Sequence, residues 1–75
     1  MLAQSELQAL RRYKGITQKE ISKHIGISSR SYIDKEKGRT EFTLTEIYKI
    51  SKLLNLPIEH IFLFENFPLG ETEVK

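Results

Sequence analysis

The stretch Gln18–Gly38, QKEISKHIGISSRSYIDKEKG, decides how this chain folds. It reads as two short helices joined by a glycine turn. Ile21 and Ile25 stand four positions apart and so share one helix face. Gly26 follows, where a chain leaving a helix often takes a left-handed conformation that glycine adopts at little cost. Ile27 plugs the turn into the core. Ser28 is placed to cap a second helix, its hydroxyl accepting from an orphan backbone N–H. Ser29, Arg30 and Ser31 then fill that helix's first turn.

Working outward, the whole chain reads as helical. Helix one is expected from about Gln4 to Tyr13, with Leu7 and Leu10 on its inner face and Lys14-Gly15 as its stop. Thr17 and Glu20 have the spacing of a capping box at the start of helix two, as do Thr43 and Glu46 at helix four. Helix three runs from about Ser29 to Glu36 and stops at Lys37-Gly38. Leu44, Ile47, Ile50, Leu53 and Leu54 give helix four an apolar stripe at helical spacing. Asn55-Leu56 breaks it, and Pro57 suits the first turn of helix five, whose Ile58, Ile61 and Phe62 face inward. No segment alternates polar and apolar residues for long enough to predict a sheet. The expected architecture is all-α, a compact five-helix bundle, with a domain over 1–64 and a polar tail over 65–75.

At 75 residues the chain makes one domain that buries only about 60–65% of its unfolded surface. It has no cysteine, which removes disulfides and thiolate metal sites. No apolar run approaches a membrane span, and MLAQSELQAL lacks the form of a signal peptide, so a cytoplasmic protein is expected. His24 and His60 have no partners at ligand spacing, no glycine-rich phosphate loop exists, and no serine or paired carboxylate has a catalytic setting. The reading is therefore of a non-enzyme without a metal, cofactor or evident small-molecule ligand. The net charge of +2 hides an asymmetry: residues 1–40 hold nine Lys or Arg against four acids, and residues 41–75 hold three against six. The basic half carries the two-helix motif. A face that meets phosphates would have this footprint, and so would an ordinary solvated surface.

Four blocks occur in order: GITQKEIS, HIGISSRSY, EKGR and LTEIYKISKLLNLPIEHIF. In that order and spacing they resemble the helix-turn-helix domain of phage Cro and repressor proteins and their bacterial relatives, from about Leu7 to Phe64. The resemblance implies a phage-repressor type of bundle that regulates transcription by placing helix three in the major groove of double-stranded DNA. It implies that Gln18 bonds a phosphate and braces the recognition helix, and that Ser28, Ser29, Arg30, Ile33 and Asp34 lie at the groove. Arg30 could bond guanine O6 and N7 together, or clamp a phosphate. Ile33 could touch a thymine methyl or pack in the core. Asp34 could accept from cytosine or neutralise Arg30 one turn back. Lys37, Arg39 and Thr40 would lie over the DNA backbone, with Lys19 and Lys23 as weaker candidates. The family often pairs an arginine late in helix one with a glutamate ending the recognition helix, here Arg11 with Glu36, Arg12 being the neighbouring alternative. Two positions depart from the family: Ser22 stands where alanine is usual, and Lys35 where the residue is normally apolar.

The expected protein is a Cro-like or repressor-like regulator of a phage, prophage or bacterium that binds a palindromic operator as a homodimer. The dimer surface is expected on Phe62, Phe64, Phe67 and Leu69, unless these fold back over Leu7 and Leu10. Two rivals share the fold: an antitoxin-type module that binds a partner protein, and the DNA-binding part of a longer repressor.

Overall fold

The computed structural model describes residues 3–62, which form five helices: α1 Ser5–Tyr13, α2 Gln18–Ile25, α3 Ser29–Glu36, α4 Leu44–Leu54 and α5 Ile58–Ile61. The described residues contain no strand. Each boundary has a local cause. Thr17 Oγ1 accepts from the Glu20 N–H at 3.0 Å while Glu20 Oε1 accepts from the Thr17 N–H at 2.9 Å, closing a reciprocal box at the start of α2. Thr43 and Glu46 repeat the arrangement at the start of α4, at 3.2 and 2.9 Å. Gly26 ends α2 at φ +84°, and its N–H bonds back to the Ser22 carbonyl at 2.9 Å. Asn55 ends α4 at φ 59°, the left-handed value that asparagine tolerates better than most residues.

The core is one cluster: Leu7 from α1, Ile21 and Ile25 from α2, Tyr32 from α3, Ile47, Ile50 and Leu54 from α4, then Ile61 and Phe62. Helix α2 packs against both α3 and α4, and α5 closes the bundle against α1 and α4. Leu10, Ile16, Ile27, Phe42, Leu53, Leu56 and Ile58 pack around the cluster, half-buried.

Two expectations are corrected here. Of the two readings of Phe62, the inward one set by helix-five spacing holds and the outward one, on a dimer surface, does not: it is 4 % exposed, and its ring meets Phe42 edge-on with centroids 5.3 Å apart. Phe42 in turn lies 5.9 Å from Tyr32, centre to centre, so Phe62 completes a row of three rings set at an angle to one another. Leu44 does not join the inner stripe of α4, being 84 % exposed. It is the first residue of the helix, where a side chain leans toward the N-terminus and past the last turn that could cover it. The expected tail over 65–75, and Phe64, Phe67 and Leu69 as dimer residues, lie outside the described residues.

Candidate nucleic-acid interface

Helix α3 owes its orientation to its inner face. Tyr32 and Glu36, four positions apart, both point into the bundle. A carboxylate in that position is costly unless every oxygen is bonded, and Glu36 meets the requirement. Arg11 Nε donates to Oε2 at 2.9 Å and Nη2 to Oε1 at 3.4 Å. The Tyr32 hydroxyl donates to Oε2 at 2.7 Å, and Gln18 Nε2 donates to Oε1 at 2.9 Å. Arg11 directs its remaining nitrogen, Nη1, to the Ile16 carbonyl at 2.8 Å. One carboxylate thus fastens the end of α3 to α1, to the start of α2 and to its own preceding turn.

The electrostatics follow from the same contacts. Burial alone would raise the Glu36 pKa. The bonds from Arg11, Tyr32 and Gln18, with the Arg11 charge, outweigh it and hold the group below its ordinary value. Burial opposes the charge on Arg11 as well, and Glu36 more than offsets it. Burial, reinforced by the bond to Glu36, pushes the Tyr32 hydroxyl well above its ordinary range. The hub is a fixed pair of charges with a neutral phenol.

With the inner face locked, the first turn of α3 is free to face outward. Ser28 caps it, its Oγ accepting from the Ser31 N–H at 3.1 Å. Arg30 projects into solvent, with 83 % of its side chain exposed and Nε 3.8 Å from Asp34 Oδ2. Ser29 is half-buried, and its hydroxyl lies 3.4 Å from that of Ser22 on α2. The small Ser22 is itself buried, and its hydroxyl donates to the Lys19 carbonyl at 2.8 Å. Ile33 is half-buried and outside the core cluster.

Asp34 holds Arg39 more closely than Arg30: Arg39 Nη1 donates to Oδ1 at 3.1 Å, and the Arg39 N–H donates to the Asp34 carbonyl at 2.8 Å. These two bonds fold the chain after α3 back on itself. Lys37, Arg39 and Thr40 are exposed along this loop.

Lys35 anchors the loop from the other side. Its ammonium donates to the Glu41 carbonyl at 2.9 Å, lies 3.3 Å from Glu46 Oε1, and sits 5.9 Å from the centre of the Phe42 ring. A lysine stem covers apolar surface here while its head finds a carboxylate, so the orientation of α3 survives an apparently misplaced charge. The sequence pattern did not reveal that Lys35, Phe42 and Glu46 form a support for the loop. Glu46 serves the capping box and Lys35 with the same oxygen.

A second helix held from behind by α1 and α2, with an open first turn, defines the class: a helix-turn-helix domain. A family model described as helix-turn-helix matches residues 7–61, and the chain belongs to that family. It is 32 % identical over 62 residues to an HTH-type transcriptional regulator of Methanocaldococcus jannaschii, covering 83 % of this chain and 94 % of that one. It is 36 % identical over 56 residues to an HTH-type transcriptional regulator of Archaeoglobus fulgidus, covering 75 % of this chain and 79 % of that one. Among solved structures it is similar to the restriction-modification controller protein C.AhdI from Aeromonas hydrophila, with TM-score 0.70 and 24 % identity over 77 % of this chain and 88 % of that one. That likeness carries the fold. No helix of the described residues is long and apolar enough to cross a membrane.

Proposed function

We propose that the protein is a sequence-specific, non-enzymatic DNA-binding regulator of transcription, cytoplasmic, which lays α3 in the major groove. The observation that carries the reading is the contrast between the two faces of α3. Glu36 and Tyr32 are locked behind, while Arg30 stands in solvent at the open first turn. In this reading Arg30 reads a base edge, with Ser28, Ser29 and Ile33 beside it. Asp34 holds Arg39 in place over the DNA backbone rather than reading a base. Gln18, Lys37, Arg39 and Thr40 meet phosphates. Gln18 does so from an amide already oriented by Glu36, at the start of a helix whose dipole favours an anion. The relatives named above, called transcriptional regulators, support the same reading. The protein binds as a homodimer to a palindrome with half-sites about 34 Å apart, because one short helix reads too few base pairs to be selective in a genome.

Selection of bound sequences from random DNA tests the reading and yields the operator. Affinity is expected to fall steeply with salt, each neutralised phosphate contributing roughly −0.9 to the log–log slope. Arg30→Ala is expected to cost about 1–3 kcal/mol on the selected operator and less on unrelated DNA, which relaxes specificity. Equal loss on every sequence would place Arg30 on a phosphate instead. Failure to select any DNA at low salt would refute the function.

A further inference from the structure

Helix α4 leaves two large apolar side chains uncovered, Leu44 and Tyr48, the latter 57 % exposed. They stand one helical turn apart on one flank. Lys52, a further turn on, places its ammonium 5.6 Å from the centre of the Tyr48 ring. Exposed Glu41 precedes the start of this helix, and exposed Lys49 accompanies Lys52 near its end. The helix packs its other sides against α2 and α5.

Resting on the reading of the protein as a dimer on DNA, we infer that this flank of α4 seats a second copy of the chain, antiparallel, about Tyr48. The argument is one of self-complementarity. A two-fold axis through Tyr48 sets Leu44 against the methylene stem of Lys52 from the second copy, and the reverse, as an isologous contact requires. It also brings the end carrying Glu41 to the end carrying Lys49 and Lys52, so unlike charges meet and the helix dipoles oppose. A parallel contact would set lysine against lysine. Phe62, buried in the core, is not available for this contact. Two leucines and two tyrosines bury a few hundred Å², well short of the roughly 1,000 Å² of a stable interface. The contact is therefore weak between free molecules and forms when two half-sites hold the copies side by side, so the dimer appears as cooperativity on the operator.

The chain has no cysteine, so Tyr48→Cys introduces a single thiol into it, and Tyr13→Cys, at the exposed end of α1, is the control. On the selected operator a short bismaleimide is expected to join two molecules of Tyr48→Cys and none of Tyr13→Cys. In parallel, the pair Leu44→Ser with Tyr48→Ser is expected to weaken binding to the two-half-site operator about tenfold or more, the scale of lost apolar burial. Its affinity for a single half-site should not change, and its melting temperature should fall by no more than about 5 °C, since Tyr48 is mostly exposed.

Four outcomes would overturn the inference. Equal loss on the half-site would mean that the flank meets DNA. A fall in melting temperature of about 10 °C or more would mean that a segment of the same chain covers it. Two copies per operator without the crosslink, or with cooperativity intact, would place the contact elsewhere. A single copy per operator, with no crosslinked pair even at high protein concentration, would refute the dimer reading itself.

Discussion

Glu36→Ala is expected to destabilise the free protein by about 3–5 kcal/mol, because it strands a buried guanidinium with its partner gone. Arg11 is 5 % exposed, Glu36 3 %. The loss is not confined to one pair. The Tyr32 hydroxyl and the Gln18 amide both lose their acceptor, and the end of α3 is released from α1 and α2 together. A domain of this size has roughly 4–11 kcal/mol in total at typical values per residue, so the variant would lose a large share of its stability. Replacing both charges, Arg11→Met with Glu36→Leu, is expected to harm less than Glu36→Ala alone, since apolar side chains of similar volume need no partner. Urea melts of the two single variants and the double variant measure this, and strictly additive effects would show that the pair is not coupled.

The same hub sets the response to pH. Glu36 is held below its ordinary value of 4.5, so its contribution is complete above that pH and is lost as pH falls through the folded value. Tyr32 is held above its ordinary value of 10.0, so its contribution is complete below that pH and is lost as the medium becomes strongly alkaline. Glu36→Gln is therefore expected to flatten the acid limb of a stability-against-pH curve while leaving the neutral protein less stable. An unchanged acid limb would remove Glu36 from the account.

Most of the helix boundaries were legible in the sequence because their causes are local. A capping box, a glycine or a serine cap acts over three or four residues, and Thr17, Ser28 and Thr43 all cap as their spacing implied. The Arg11–Glu36 pair spans 25 positions and came only from resemblance, since nothing in the spacing links the two residues. That Gln18 joins them depends on how α2 meets α3. Lys35 was legible as an anomaly but not as a support, because its partners are gathered by the loop after α3. Phe62 admits two readings from sequence, inward by its helix-five spacing and outward as a spare aromatic, and the packed bundle decides for the first. Counting aromatics near the C-terminus suggests a surplus, and only the packed bundle shows that Phe42 needs a ring beside it. Which of the outward side chains touch DNA is a property of the complex, and helix periodicity says only that they point away from the core.

Helix α4 offers the sharpest comparison of what one pattern hides. Leu44 and Ile50 belong to the same stripe by spacing, yet Ile50 is fully buried and Leu44 stands in solvent. Ile50→Ala is expected to cost about 2–5 kcal/mol, the lost transfer energy plus the cavity left among neighbours that relax only in part. For a domain of this length each kcal/mol lowers the melting temperature by about 4–8 °C, so the shift should be large. Leu44→Ala is expected to stay within about 0.5 kcal/mol in the free protein, because it opens no cavity and both residues favour helix. Thermal melts without DNA measure the two side by side. A large loss for Leu44→Ala would mean that another part of the chain covers this leucine, and the same result would remove the flank of α4 as a seat for a second copy. A small loss for Ile50→Ala would mean that the bundle repacks around the gap, against the single tight cluster in which Ile50 meets its neighbours.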